Sequence, residues 1–213
     1  MDIYASDEEK AEAIKQWWRD NGRSVVVGVV LGIASIFGFR YWMTHQQTQS
    51  EQAAVLYQQT IIAINTDNGE TAKSSAETLM KNYQSNAYAT FAAIELAKLE
   101  ESKGNFDAAQ DYLKWVNTNA DLDSYKQLAL LRLARLYFEQ ASYDDALNAI
   151  NTASTSAFAS LFSELKGDVE LAMGNQAEAY VSYKTARNGL NSGEPRDRLL
   201  EIKMADVAAS DEG

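Results

Sequence analysis

The sequence predicts an all-α protein, with a single N-terminal transmembrane helix followed by a solenoid of helical hairpins. Three observations carry this. Residues 24–39 (SVVVGVVLGIASIFGF) are sixteen consecutive positions without a charge. The chain has one proline, Pro195, is rich in Ala, Leu, Glu, Gln and Lys, and shows no alternating β-branched run with hairpin signals after residue 44. A pattern of small residues, a turn and a second alanine recurs at spacings of 37 and 33 residues.

The first element is the apolar run. Ten of its sixteen residues are Val, Ile, Leu or Phe, each favouring membrane insertion by about 0.3–0.6 kcal/mol, so the segment gains several kcal/mol. With Tyr41, Trp42 and Met43 it approaches the roughly 20 residues, at about 1.5 Å each, that cross an apolar layer about 30 Å thick. Arg40 can snorkel to the headgroups, and Tyr41 and Trp42 suit the interface. A cleaved signal peptide would have a short basic leader and a small-x-small site. Here the leader holds six acids, and the run exits through bulky Arg40, Tyr41, Trp42 and Met43. A buried soluble helix would also be apolar, but Gly28, Gly32, Gly38 and a Val-rich run make a poor helix in water. Gly28 and Gly32, four apart, form a face on which a second helix could pack closely; the same glycines also fit a plain single-pass anchor.

Orientation follows from Lys and Arg near the span. Lys10, Lys15, Arg19 and Arg23 precede it, and after Arg40 no basic residue occurs until Lys73. The positive-inside rule therefore makes residues 1–23 a cytoplasmic tail, 24–43 the transmembrane helix, and 44–209 an exported domain, with a disordered tail at 210–213. Within the tail, the amphipathic stretch from Lys10 to Arg19 brings Trp17 and Trp18 to interfacial depth, where indole rings anchor to membrane lipid. Beyond the span, 14 Lys plus Arg face 24 Asp plus Glu, a formal charge of −10. Such a surface repels phosphate backbones and argues against nucleic acid as a partner.

The exported part begins with an amphipathic helix from Glu51 to Thr66, a turn at Asn68-Gly69 and a second helix from Thr71 to Tyr83. Three similar units follow: Leu96-Ala97 with Gly104-Asn105-Phe106-Asp107-Ala108-Ala109, Leu133-Ala134 with Ala141-Ser142-Tyr143-Asp144-Asp145-Ala146, and Lys166-Gly167 with Gly174-Asn175-Gln176-Ala177-Glu178-Ala179. Ala109, Ala146 and Ala179 let the second helix of each unit lie close to the first, and Phe106, Tyr143 and Tyr183 are expected to fill gaps between units. Gly189, Gly193 and Pro195 then break the chain before a capping helix near Arg196 to Ala208. A period near this length resembles the tetratricopeptide repeat, although the early Trp and the final Pro of that signature are missing.

Little here supports catalysis. His45, the single histidine, lies just past the membrane boundary, and there is no cysteine for a disulfide, a thiolate nucleophile or a metal. The paired acids Glu100-Glu101, Asp121-x-Asp123 and Asp144-Asp145 read as solvated helix faces. No P-loop, dinucleotide fingerprint or EF-hand is present, so no cofactor and no metal is expected, and the domain is read as one that binds. Repeats of this kind resemble others that use the concave face made by their first helices. That resemblance puts Phe91, Ile94, Lys98 and Glu101 there from the first unit, Leu128, Leu131, Arg135 and Phe138 from the second, and Leu161, Glu164, Asp168 and Leu171 from the third. Leu131, Phe138 and Leu171 equally suit a core; Lys98, Arg135, Glu164 and Asp168 are the better groove candidates, since burying them would be costly.

The N-terminal residues add a more specific resemblance. Glu12-Ala13-Ile14-Lys15-Gln16-Trp17-Trp18-x-x-Asn21-Gly22-Arg23, the Gly28-x-x-x-Gly32 span and its exit through Gly38-Phe39-Arg40-Tyr41-Trp42 resemble the YfgM family, ancillary subunits of the SecYEG translocon in Gram-negative inner membranes. The resemblance covers the full length. It implies a non-catalytic inner-membrane protein with a periplasmic hairpin domain, whose partners are the SecYEG translocon, a PpiD-type periplasmic chaperone and exported client proteins. Two other classes fit the residues alone: a regulator whose cytoplasmic tail holds a stress-response factor, and an envelope scaffold for a membrane enzyme.

Overall fold

Why the first helix does not stop where the span stops is plain from composition: between Gly38 and Gly69 there is neither a glycine nor a proline. In the computed structural model, which describes residues 7–154 and 158–210, α1 runs unbroken from Asp7 to Asn65. The separate helix expected from Glu51 is thus the last part of α1. The other helices are α2 (Gly69–Asn82), α3 (Ala87–Ser102), α4 (Phe106–Asn119), α5 (Asp123–Glu139), α6 (Tyr143–Thr152), α7 (Ala159–Ala172), α8 (Gln176–Asn188) and α9 (Arg196–Ser210). Among the described residues there is no strand. Of the tail expected to be disordered, Ser210 closes α9 and residues 211–213 lie outside the described residues, as do residues 1–6 of the cytoplasmic tail.

The chain divides after Glu51 into two units. The first is built on α1 alone, and its side chains are exposed: Val30 is 59% and Phe37 68% accessible. Among the described residues it carries the one helix long and apolar enough to cross a membrane. A soluble core helix would bury such a stripe; this one buries almost nothing.

The second unit is four hairpins and a cap. Residues 52–65 of α1 share an apolar cluster and the Thr60–Ser75 hydrogen bond with α2, α3 pairs with α4, α5 with α6 and α7 with α8, while α9 packs on α8. Every first helix ends in the same way. Asp67, Gly104, Ala141 and Gly174 take positive φ angles of 55, 78, 56 and 85°, the left-handed conformation that lets the next amide turn back onto the helix. Accordingly Asn68, Asn105, Ser142 and Asn175 donate their backbone N–H to the carbonyls of Ala63, Glu100, Tyr137 and Glu170 at 2.8–2.9 Å. The asparagine of the Gly-Asn turn does more, since the side chains of Asn105 and Asn175 donate to Glu100 and Glu170 at 2.7 and 2.8 Å. Asp67 lies 37 residues before Gly104, so the first hairpin is a full member of the series.

Packing follows the same register. Ala72, Ala109, Ala146 and Ala179 are all fully buried at the start of the second helices, where a larger side chain would hold the pair apart. On the first helices the matching small positions are Thr60, Ala97, Ala134 and Gly167. Thr60 answers its buried polarity by donating to Ser75 at 2.9 Å. Gly167 is required by Tyr183, whose ring carbons would stand 2.5 Å from any Cβ placed there. The core is layered between hairpins: one cluster joins α1, α2 and α3, a second α3, α4 and α5, a third α5, α6 and α7. A fourth, with Ala179, Tyr183, Ala186, Leu200 and Val207, seals α9 onto α8. Phe106 departs from expectation. It is exposed, whereas Tyr143, one repeat later, packs against Phe138 with ring centroids 6.1 Å apart. The equivalent of Phe138 is Glu101, which gives Phe106 nothing to cover.

Candidate partner-binding face

The first helices share one open face. On α3 the accessible residues Tyr88, Phe91, Glu95 and Lys98 follow the 3-4-3 spacing of one helical stripe. Thirty-seven residues later α5 repeats it with Tyr125, Leu128, Arg132 and Arg135. Ring contacts join the stripes. Phe91 meets Tyr125 edge-on with centroids 5.3 Å apart, and Tyr57 of α1 lies 6.1 Å from Phe91 and 5.5 Å from Tyr88. Aromatic edges and faces attract at such distances. Burial first, then the charge of Glu95, raises the Tyr57 hydroxyl above the usual tyrosine range.

The sequence-predicted residues separate into three groups. Phe91, Leu128 and Phe138 are half-buried, while Lys98, Glu101 and Arg135 are exposed. Ile94 and Leu131 belong instead to the core, 7% and 2% accessible, because each joins the apolar cluster that its helix shares with the next hairpin. Glu164 and Asp168 sit on the open face but are already answered from within the chain. Lys203 of α9 reaches Glu164 at 3.0 Å and Asp168 at 2.7 Å, and Arg196 reaches Glu164 at 3.3 Å. Tyr183 donates to Asp168 at 2.8 Å, beneath the Lys203 ammonium 5.4 Å from its ring centre. Leu161 is half-buried beside them, and Leu171 is exposed at the end of α7.

This cluster shifts its members. Burial alone would lower the Lys203 ammonium, but hydrogen bonds to Asp168 and Glu164 outweigh it and hold Lys203 above the usual lysine range. Burial, and then the bond to Asp168, push the Tyr183 hydroxyl up strongly. Sequence reasoning missed Lys203, Arg196 and Tyr57. One signal was available: Lys203 falls 35 residues after Asp168, close to the repeat period, so α9 occupies the place of a further first helix.

In the first unit, Trp17, Trp18, Arg40, Tyr41 and Trp42 are all exposed on α1. The Trp18 indole lies over Gly22, 3.2 Å from where a Cβ would stand, and Phe39 and Trp42 rings sit 6.2 Å apart. At Gly28 and Gly32 a Cβ would meet nothing within 4 Å, so no contact among the described residues requires glycine there. No group of three or more His, Cys, Asp or Glu able to hold a metal occurs among the described residues.

Comparison with known proteins places this architecture. A family model described as a tetratricopeptide repeat-like domain matches residues 15–209, which takes in both the apolar part of α1 and all four hairpins. A protein of Haemophilus influenzae named "Ancillary SecYEG translocon subunit" is 30% identical over 198 residues, spanning 93% of this chain and 96% of its own. Proteins with the same name from Aggregatibacter actinomycetemcomitans and Escherichia coli are 28% and 27% identical, over 93% and 86% of this chain and 96% and 88% of theirs.

Proposed function

The chain belongs to the YfgM family of ancillary SecYEG translocon subunits, with a tetratricopeptide repeat-like domain, and from that premise we propose that it is a non-catalytic adaptor at the Sec translocon. The observation that carries the proposal is the match to relatives of that name over nearly the whole of both chains. In this reading 24–43 is a retained inner-membrane anchor, residues 1–23 are cytoplasmic and 44–209 form the periplasmic domain. The exposed apolar stripe of α1 supports the anchor, and the run of Lys and Arg before it supports the orientation. Trp17, Trp18, Arg40, Tyr41 and Trp42 hold its two ends at the interfaces, and Gly28 and Gly32 offer a close-packing contact to a neighbouring helix.

Tethering gives the mechanism. A domain anchored beside the channel exit experiences partners at high effective concentration, so weak contacts on the first-helix face suffice for repeated capture and handover. A PpiD-type chaperone and emerging client proteins are the partners this arrangement would link. Two measurements test the reading. A periplasm-dependent reporter fused after α9 should be active, and tagged protein purified in mild detergent should carry SecYEG subunits. A reporter active only in the cytoplasm, or purification with a membrane enzyme in place of the channel, contradicts it.

A further inference from the structure

Three positions stand one repeat apart on the open stripe: Lys98 on α3, Arg135 on α5 and Asp168 on α7. The last shows how the position is used. Asp168 is answered by a cation on the adjacent first-type helix, Lys203 of α9, at 2.7 Å. Lys98 and Arg135 have no such answer. They are neighbours of the same sign, so neither can neutralise the other, and among the described residues neither has an ion pair. Arg132 adds a third cation one turn away; Glu95 stands at its repeat-equivalent position, and the exposed Glu101 and Glu139 lie within a turn of Lys98 and Arg135 without pairing with them. The domain beyond the span carries a formal charge of −10, so its long-range field opposes an acidic partner and recognition depends on short-range contact with these unpaired cations. About two to three turns nearer the N-termini of the same helices, the Tyr57–Phe91–Tyr125 rings present half-buried apolar edges.

We infer that the α3–α5 stretch of this face recognises an acidic segment of a partner protein, its carboxylates meeting Lys98 and Arg135 while an apolar side chain rests on the Tyr57–Phe91–Tyr125 rings. This rests on the first-helix face being the docking surface, and it names the chemistry of what docks. Cations on two adjacent helices fit a segment crossing the helices, since neighbouring axes lie about 8–10 Å apart and an extended chain covers that in about three residues. The contact is partly exposed, so it is weak singly and sensitive to salt.

The test uses the full-length protein in detergent micelles and a fluorescein-labelled peptide of alternating Glu and Leu, with a counterpart bearing Gln for every Glu. Fluorescence anisotropy should show binding of the Glu peptide, weakened by salt, and much weaker binding of the Gln counterpart. Lys98→Glu with Arg135→Glu should weaken the Glu peptide by at least about tenfold, and Lys98→Gln with Arg135→Gln by a smaller factor. Lys114→Glu with Lys184→Glu, the same charge change on the outer helices, should stay within about twofold. Circular dichroism checks that each variant is folded. No binding to the wild type, equal binding of the two peptides, or equal loss in the outer-helix control overturns the inference. Purification of the wild type without SecYEG would instead contradict the translocon reading and leave the peptide result standing.

Discussion

The two ends of the first-helix face are built on one plan and used oppositely. At the α7 end the acids Glu164 and Asp168 are consumed by α9, which arrives as a further first helix and brings Lys203 and Arg196 into contact. At the α3–α5 end the equivalent position carries Lys98 and Arg135, and no described side chain comes to meet them. The difference teaches that a repeat position is a socket whose sign decides its use. Where the chain supplies the opposite charge the socket closes the stack; where it does not, the socket is available to another molecule.

The closed end is where substitution should hurt most. Gly167→Ala drives a methyl into the Tyr183 ring and displaces the hydroxyl that orients Asp168. Chemical denaturation should show a loss of about 1–3 kcal/mol, as for other overpacked sites. Lys203→Met leaves Asp168 without a cation and Glu164 with Arg196 alone. With Lys203 about a quarter accessible, the cost is about 1–2 kcal/mol, below that of a fully buried pair.

Alkali should open the same end without mutation. Lys203 is raised in the folded state, so its contribution is present at neutral pH and is lost as pH climbs past the ordinary lysine value of about 10.4. Tyr183, also raised, acts in the same direction. Wild-type stability should therefore fall above that pH more steeply than that of Lys203→Met; parallel curves would show that the cluster does not hold α9.

Smaller effects sharpen the contrast. Ala141 occupies a left-handed turn that Gly104 and Gly174 occupy without strain, so Ala141→Gly should stabilise by about 1 kcal/mol, raising the melting temperature by about 2–4 °C. Lys98→Glu and Arg135→Glu should each change stability by no more than about 0.5 kcal/mol. A larger loss would mean that the open end is a structural pair like the closed one.

Much of this was legible in the sequence for a physical reason. Left-handed turns select Gly and Asn, and close helix crossings select Ala, so Gly104-Asn105 and Gly174-Asn175 announce hairpins by residue type alone. The first hairpin is legible as two helices and a turn, but its place in the repeat series hides because Asp67 and Thr60 stand where Gly and Ala stand elsewhere, and Thr60 compensates through Ser75, a bond no periodicity reveals. The open stripe was partly legible. Lys98 and Arg135 are where charge and spacing place them, but Ile94 turns inward, and the apolar pattern of α3 is too broad to tell the two faces apart. Glu164 and Asp168 looked free because Lys203, their shared partner in α9, lies 39 and 35 residues away, and a face pattern marks burial without marking who covers it.

The most direct test is photo-cross-linking in cells from single probes at Lys98, Arg135, Glu164 and Asp168, with the captured proteins identified. Probes at Lys98 and Arg135 should capture translocon or chaperone components, while those at Glu164 and Asp168 should yield only products internal to the chain. Equal capture of partners from both ends, or from the α7 end alone, would contradict the account.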